Sequence, residues 1–304
     1  MSSIDERALM NHFGSRLQKD VPLANLTTAK VGGAARFFVV ANSADELALD
    51  VSFLWSANTP FLVLGTGANL LISDAGLDMV VVHNKAKAIT IDATPSLFAE
   101  SGAILATVAR QAGLNGLTGL EWASTIPGTL GGAIYGNAGA HGGDMSKSLV
   151  LANILHRKKG HLSLTSEQMG YAYRSSALKR DPGNAVILSA QLAVQKGHVA
   201  AIKAQMEENA ARRKNTQPPG ASMGSTFKNP VGDHAGRLIE SVGLKGFTIG
   251  GVQVSPVHAN FLVNNGSATA EDYRRLILLI QKTVQERTGI KLELEIELLG
   301  NWQD

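Results

Sequence analysis

The chain has 304 residues, of which 44% are hydrophobic and 17% are charged, and it contains no cysteine. This composition is typical of a globular protein of two or three domains, and it excludes disulfide bonds, thiolate catalysis and cysteine-ligated metal centres. The net charge of +3 is only mildly basic, and the basic residues form no stripe with interleaved aromatics, so we expect no nucleic-acid partner.

The first predicted element is an amphipathic helix over residues 4–19, whose apolar residues recur with helical spacing. The N-terminal residues 1–7 are polar and include two acids, so they lack the features of a signal peptide. No apolar run reaches the roughly 20 residues that span a bilayer. We therefore expect a cytoplasmic protein without a membrane partner. The sequence does not determine the oligomeric state, and a monomer is our expectation.

Strands and helices alternate in the predictions that follow. Ser43 and Glu46 have the spacing of a capping box and predict a helix that ends near Ala57. Short apolar runs on both sides of it predict strands. A second block begins near Lys85, with strands and a helix of its own. Within it, residues 116–143 contain nine glycines, and a long loop of this kind in a compact domain is usually functional.

The last third of the chain is predicted to be a distinct block. A helix runs from about 199 to 214, and the Pro-rich segment 217–220 is typical of a linker. A second helix begins at Thr269 and ends at Gly289. Residues 291–299 alternate with period two, which predicts a strand with an apolar face and a solvated acidic face.

Two glycine-rich segments are candidates for binding a ligand. Gly65–Leu71 follows a predicted strand and has two glycines, but it lacks the third glycine of the Rossmann pattern. A ligand loop and a plain turn stay equally open for it. Glu121–Ala133, continued by Asn137–Gly143, offers backbone N–H and hydroxyl donors without side-chain bulk, which is what a diphosphate needs. The alternative is a purely structural loop.

Other chemically interesting residues have simple structural readings when taken alone. Arg174 beside two tyrosines is typical of a surface arginine, Ser225 of a turn serine, and Glu295 of a solvated sheet face. The histidines form no pair with metal-ligand spacing, so no metal site is predicted. His258 lies between apolar residues and reads as a core histidine.

Seven segments nevertheless occur together, in an order that resembles the UDP-N-acetylenolpyruvoylglucosamine reductases. The resemblance extends over nearly the whole chain and is sharpest at Ile126–Thr129 and Gly224–Pro230. The segments are Thr28–Ala35, Gly65–Leu71, Gly119–Gly143, Tyr173–Ser176, Gly224–Pro230, His258–Phe261 and Leu292–Gly300.

The resemblance implies an α+β fold with a two-subdomain FAD-binding unit of the vanillyl-alcohol-oxidase (PCMH) type and a C-terminal α+β substrate-binding domain. The implied domains are 1–84 and 85–198 for FAD and 199–304 for substrate. It also implies that NADPH reduces a non-covalent FAD, which then reduces the enolpyruvyl ether of a UDP-sugar to UDP-N-acetylmuramate for peptidoglycan synthesis. The spacing from Arg174 to Ser225 resembles the shorter variety of the family, which lacks an extra tyrosine-bearing loop.

The resemblance assigns roles to individual residues. Ser225 matches the proton donor, Arg174 the residue that stabilises the enolate-like charge, and Glu295 the third active-site residue. The implied FAD contacts are Val31, Gly32, Gly33, Gly65, Gly67, Ala68, Asn69, Leu70, Ser124, Ile126, Pro127, Gly128, Thr129 and Gly139. The implied substrate contacts are Tyr173, Arg213 (or Arg212, since the match is loose by one position), Lys228, Asn229, His258 and Asn260.

Two other functions remain open from the sequence. One is an FAD-dependent oxidoreductase of the same fold with a different substrate, which the FAD segments alone do not separate from the reductase. The other is a non-catalytic nucleotide-sugar binder. Ser225 favours the reductase, because an alcohol oxidase has no need to protonate a carbanion and a binder has no need of an acid at the reacting carbon.

Overall fold

The computed structural model describes residues 4–92 and 96–302, which form two compact units. Unit 1 comprises Met1–Gln18, Phe38–Gly65 and Met79–Arg213; unit 2 comprises Lys19–Phe37, Thr66–Asp78 and Lys214–Asp304. Within the described residues, every helix is too short or too polar to cross a lipid bilayer. The assignment of 1–84, 85–198 and 199–304 to cofactor and substrate binding stays a prediction.

Helices and strands are both abundant, as an α+β class requires. The helices are α1 (Glu6–Phe13), α2 (Ala44–Ser56), α3 (Leu105–Leu114), α4 (Leu130–Gly136), α5 (Met145–Ser148), α6 (Ala177–Arg180), α7 (Val199–Thr216), α8 (Ala235–Ser241) and α9 (Ala270–Thr288). The strands are β1 (Gln18–Pro22), β2 (Ala34–Ala41), β3 (Phe61–Leu64), β4 (Leu70–Ile72), β5 (Leu77–Asn84), β6 (Ile89–Ile91), β7 (Ser96–Glu100), β8 (Leu117–Thr118), β9 (Gly139–Ala140), β10 (Gly143–Asp144), β11 (Leu149–His156), β12 (Gly160–Thr165), β13 (Ala185–Ala193), β14 (Gln195–Lys196), β15 (Thr248–Ile249), β16 (Val252–Val254), β17 (Leu262–Asn264) and β18 (Glu297–Leu299).

Unit 1 is built on an antiparallel sheet of five strands in the order β12-β11-β13-β7-β6. Its apolar face and the buried sides of α3 and α4 share one core, in which Leu97, Val108 and Ile134 are fully buried. The glycine-rich segment between α3 and β11 therefore contributes buried residues to this core, such as Leu130 and Ile134, while Pro127 within it is exposed.

The N-terminal helix is shorter than predicted, because Gly14 ends α1 with a positive φ of 53°. The following turn carries Arg16, whose guanidinium binds both oxygens of the fully buried Asp50 at 2.8 and 2.9 Å. That hydrogen bond is the main reason why the pKa of Arg16 is raised. A buried carboxylate needs such a partner to remain ionised.

The predicted capping box of α2 is confirmed in one half. The hydroxyl of Ser43 accepts the N–H of Glu46, but the carboxylate of Glu46 accepts the N–H of Asn42 and pairs with Arg16. In α9 both halves of a capping box are present, between Thr269 and Asp272.

Unit 2 has its core where α8 and α9 pack on the small sheet β15-β16-β17. The apolar side of α9 is buried as its spacing predicts, with Tyr273 and Ile280 fully inaccessible, and Gly289 ends the helix in the left-handed conformation. The carboxylate of Asp74 accepts the N–H groups of Ala270 and Glu271 at the start of α9, where the helix dipole favours negative charge.

The predicted strand over 291–299 is wrong in its extent. Only β18 forms, pairing in parallel with β4, while Leu294 makes an isolated bridge with Phe227. Consequently the acidic residues do not share one solvated face: Glu293 is exposed, whereas Glu295 and Glu297 are half-buried. The cause is that the segment before β18 pairs with the Ser225 loop instead of with a sheet.

Candidate active site

The Gly65–Leu71 segment leads into β4, as its strand-like end predicts, and its two glycines belong to different units. A Cβ on Gly65 would stand 2.7 Å from the hydroxyl of Thr129, so unit 1 brings these two predicted FAD contacts together. In unit 2, a Cβ on Gly67 would stand 2.7 Å from the carbonyl oxygen of Leu26. Both positions therefore need glycine for the close approach of the protein to itself.

The Val31–Gly33 segment lies beside the second half of that loop in unit 2. The N–H of Thr28 donates to the carbonyl of Gly67 at 3.5 Å, which joins the two predicted FAD segments. Gly32 has a φ of 119°, and a Cβ on Gly33 would stand 2.3 Å from the carbonyl oxygen of Asp74. Any larger residue at Gly33 would displace backbone, so glycine is required at this predicted FAD contact.

The third predicted FAD segment, Ser124–Thr129, lies in unit 1. Thr129 begins α4 by accepting the N–H of Gly132, and the carbonyl of Gly128 accepts the N–H of Leu105 at 3.1 Å. At the other end, the hydroxyl of Ser124 donates to the carbonyl of Glu121 at 2.8 Å. The residues between these fixed ends, Ile126 half-buried and Pro127 exposed, are accessible to a ligand.

Arg174 also belongs to unit 1, in a strained backbone conformation with a φ of 55°. Both of its terminal nitrogens donate to the carbonyl of Gly139 at 3.3 Å, so two predicted site residues meet here. Its guanidinium carbon lies 5.4 Å from the ring centre of Tyr173, which is 56% exposed. A positive φ outside glycine costs free energy and clusters at functional sites.

Unit 2 brings Ser225 and Glu295 close together. The carbonyl of Thr226 accepts the N–H of Glu295 at 2.9 Å, and Ser225 itself bridges to Phe261. The amide of Asn69 donates to the carbonyl of Glu295 at 3.0 Å. Thus the backbone of the predicted acid is bonded to the residue after the predicted proton donor and to the side chain of one predicted FAD contact.

Asn260 holds the Ser225 loop from the buried side. It is only 2% exposed; its amide oxygen accepts the N–H of Phe227 at 2.9 Å, and its amide nitrogen donates to the carbonyl of Phe227 at 2.8 Å. The ring Nδ1 of His258 accepts the N–H of Asn260 at 3.2 Å, and burial, the largest cause, lowers the pKa of His258. We call Asn260 and its two bonds to Phe227 the Asn260 brace.

The other predicted substrate contacts differ in accessibility. Asn229 is exposed, and its side-chain oxygen accepts the N–H of Ala235 at the start of α8. The ammonium of Lys228 lies 3.3 Å from the carboxylate of Glu293. In unit 1, Arg213 donates to the carbonyl of Thr125 at 2.7 Å.

Sequence reasoning missed two residues of unit 1. The first is His141, which lies inside the candidate segment Asn137–Gly143 but was not singled out; its pKa is lowered by burial and then by the positive charges of Arg212 and Arg213. The second is Asn209, which is 5% exposed and donates to the carbonyl of Glu121 at 3.0 Å. Asn209 follows Ile202 and Met206 at helical spacing, and this position on the inward side of the helix is a signal that was available in the sequence.

Comparison with known proteins identifies the family. The C-terminal domain model of UDP-N-acetylenolpyruvoylglucosamine reductase matches residues 215–299, and an FAD binding domain model matches 35–161. The reductase of Bacillus velezensis is 40% identical over 304 residues, with 99% of each chain covered. The chain belongs to the UDP-N-acetylenolpyruvoylglucosamine reductase family. The reductase of Bacillus subtilis is 41% identical over 282 residues, with 92% of each chain covered.

Solved structures agree with this family. The reductase of Thermus caldophilus has a TM-score of 0.81 and 32% identity, covering 94% of this chain and 99% of its own. A variant of Phl p 4 described as a glucose oxidase has a TM-score of 0.50 at 11% identity, covering 74% of this chain and 52% of its own, which shows a shared fold alone. The prediction of an FAD-binding unit of the PCMH type with a reductase C-terminal domain is confirmed.

The chain is therefore an FAD-dependent oxidoreductase, and its residues fit the cofactor. Each predicted FAD segment includes or adjoins a threonine whose hydroxyl is buried without a hydrogen-bond partner in the described part of the chain: Thr28, Thr66 and Thr125. A buried polar group of this kind calls for an explanation, and a bound dinucleotide supplies one after a small rotation of the side chain.

Proposed function

We propose that this chain uses NADPH to reduce the enolpyruvyl ether of UDP-N-acetylglucosamine to the lactyl ether, giving UDP-N-acetylmuramate for peptidoglycan synthesis in the cytoplasm. The relatives are named as reductases of UDP-N-acetylenolpyruvoylglucosamine, which supports the substrate and the type of reaction. The observation in the structure that supports it best is the bond from the N–H of Glu295 to the carbonyl of Thr226, the residue after Ser225, in unit 2. A reductase of this kind needs a proton donor in a fixed place.

The proposed cofactor segments would hold FAD, and the bound flavin would supply the hydride, taken originally from NADPH, for the terminal CH2 carbon of the substrate. We propose that Ser225 then donates a proton to the carbon that bears the ether oxygen. Ser225 is half-buried, which limits the access of water, and the bond from Glu295 N–H to Thr226 fixes the backbone beside it. The position of the Ser225 hydroxyl is therefore set mainly by the backbone of this loop, since a serine side chain is short.

Arg174 and Glu295 act, in this proposal, on the carboxylate end of the substrate. Arg174 stabilises the negative charge that spreads into that carboxylate, because a cation placed before the reaction costs no reorganisation. The left-handed backbone of Arg174 and its bonds to Gly139 support a positioning of this kind. Glu295 orients or polarises the same group.

Binding contacts follow in the same proposal. Non-covalent FAD lies against the segments around Val31–Gly33, Gly65–Leu70 and Ser124–Thr129, with Gly139 beside Arg174. Ala68, where the family commonly has serine, offers no hydroxyl, a loss of about 1 kcal/mol if nothing replaces that bond. Tyr173, Arg213, Lys228, Asn229, His258 and Asn260 are the proposed substrate contacts, and Asn260 has its bracing role in addition.

The half-reactions test the proposal separately. Purified protein should be yellow, should bleach with NADPH in the absence of oxygen, and should regain its colour when the enolpyruvyl sugar nucleotide is added. An alcohol oxidase of the same fold would not be reoxidised by this substrate, and a non-catalytic binder would not be bleached. Either result would contradict the proposed function.

Ser225→Ala sharpens the test. Reduction by NADPH should stay within about twofold of wild type, while reoxidation by substrate should slow by at least about 100-fold, the usual contribution of a positioned acid. Ser241→Ala is the matched control, because Ser241 is an exposed serine of α8 that bonds only to its own helix. Equal losses in both half-reactions would show that Ser225 is structural.

A further inference from the structure

Helix α7 contacts the body of unit 1 through one narrow stripe. Most of the helix is exposed, but four residues that follow one another at spacings of four, three and four positions point inward. They are Ile202, Met206, Asn209 and Arg213. The first two are apolar and cover Gly113 of α3, where an added Cβ would stand 2.9 Å from Ile202 and 3.0 Å from Met206. This end of the stripe is ordinary core packing.

The other end of the stripe is polar and binds backbone. Asn209 donates to the carbonyl of Glu121 at 3.0 Å, and Arg213 donates to the carbonyl of Thr125 at 2.7 Å. Asn209 is 5% exposed, and burial lowers the pKa of Arg213. Burying an amide and a guanidinium costs free energy that apolar residues would avoid, so packing alone does not account for this pair.

The two carbonyls, of Glu121 and Thr125, lie near the N-terminal end of the proposed FAD loop Ser124–Thr129. The carbonyl of Glu121 also accepts the N–H and the hydroxyl of Ser124, at 3.2 and 2.8 Å, so it fixes the first residue of the loop. The far end is fixed independently, since Leu130 donates its N–H to Ala103 and Leu105 donates its N–H to Gly128. The N-terminal end of the loop is instead contacted by α7, through Asn209 and Arg213.

We propose that Asn209 and Arg213, which we call the α7 clamp, are positioning residues that set the geometry of Ser124–Thr129 for the cofactor. The inference rests on the proposed contact of this loop with FAD. It gives Arg213 a role through the loop, besides any contact with substrate. The clamp does not touch the reacting atoms; it acts by keeping the loop backbone in the conformation that a flavin dinucleotide needs.

The affinity of the protein stripped of flavin for FAD is the direct measurement, read by the quenching of flavin fluorescence. Asn209→Ala should raise the Kd for FAD by about tenfold, a change of about 1.4 kcal/mol. The visible absorption band of bound flavin should also shift or lose fine structure, because the loop conformation differs. Asn209→Asp should be worse than Asn209→Ala, since a carboxylate would face the carbonyl oxygen of Glu121.

Ile202→Val is the matched control on the same stripe. It weakens the packing of α7 at the apolar end, so it lowers the stability of unit 1 but should leave the Kd for FAD and the flavin spectrum unchanged. Asn209→Ala combined with Arg213→Met should increase the Kd by less than the product of the single effects, because both residues hold one loop.

The outcomes separate the clamp from the function it rests on. If wild type fails to bind FAD, the proposed function fails. If wild type binds FAD while Asn209→Ala matches Ile202→Val in Kd and in spectrum, Asn209 is merely structural and the clamp is wrong. If Asn209→Ala raises the Kd and alters the spectrum while Ile202→Val does neither, the clamp is supported.

Discussion

Both loops proposed to carry the chemistry are held by a buried asparagine, but in different ways. In unit 2, the amide of Asn260 bonds both to the N–H and to the carbonyl of Phe227. In unit 1, Asn209 makes one bond to a carbonyl that two other donors of the chain also reach. The Asn260 brace thus replaces a strand partner at both polar groups of one residue. Asn209 of the α7 clamp instead adds a third donor to a carbonyl that is already bonded.

The two loops should therefore respond differently to the loss of their asparagine. Removing a donor from a shared carbonyl leaves that carbonyl satisfied, so the loop can shift without a large loss of stability. Removing the only partner of a buried N–H and C=O leaves both groups unsatisfied. We therefore expect the Ser225 loop to fail by unfolding and the FAD loop to fail by misplacement.

The largest expected effect is that of Asn260→Ala. Phe227 is fully buried, and both of its polar backbone groups would lose their partner, at a cost of about 3 kcal/mol in the free energy of unfolding. Asn209→Ala should cost about 1 kcal/mol, because the carbonyl of Glu121 keeps its bonds to Ser124. Urea unfolding of the two variants measures both values. Equal losses would show that the two asparagines hold their loops in the same way.

A smaller effect on the stability of the Asn260 brace is expected from pH. His258 accepts the N–H of Asn260 through Nδ1. Its pKa is lowered, first by burial and then by Lys245, against the opposing effects of a backbone hydrogen bond and of Glu240. The unfolded chain therefore takes up this proton more readily, so stability is full above a pH of about 6.5 and falls as the pH decreases through that value. The slope from one histidine is at most about 1.4 kcal/mol per pH unit.

His258→Gln isolates this contribution. The pKa values of His83 and His141 are also lowered by burial, so they add slopes of the same sign in wild type and in the variant. The difference between the two proteins between pH 5 and about 7.5 is then the share of His258. A variant whose stability falls as steeply as that of wild type would mean that His258 titrates normally.

The sequence predicts the elements of both loops better than their supports. The ends of α9 follow from Thr269 and Gly289, and the glycine-rich segment was singled out from composition. The bond of the Asn260 brace joins residues 33 positions apart, and the bond of Asn209 in the α7 clamp joins residues 88 positions apart. Neither periodicity nor local propensity carries information over such distances. The glycines show a second limit of prediction from sequence. Gly33 is required because a Cβ there would meet the backbone of Asp74, and the sequence alone does not distinguish such a glycine from one that makes room for a ligand.

The site residues illustrate the same limit. Alternation placed Glu293 and Glu295 on one solvated face, and the structure separates them because the chain pairs with the Ser225 loop before β18 begins. Glu293 is the exposed member, with a side chain 72% accessible and an ion pair to Lys228 at 3.3 Å. Glu295 is fixed through its N–H to Thr226 and through its carbonyl to Asn69.

The smallest expected effect concerns this exposed ion pair, which lies on the same loop as the Asn260 brace. Glu293→Gln removes the charge but keeps the bond from the N–H of Lys228 to the carbonyl of residue 293, which is 2.8 Å long. Because an exposed pair is screened by solvent and salt, the change in the free energy of unfolding should be less than about 0.5 kcal/mol. Urea unfolding at low and high salt measures it. A loss near that of Asn260→Ala would mean that the loop is held by charge and not by the buried amide.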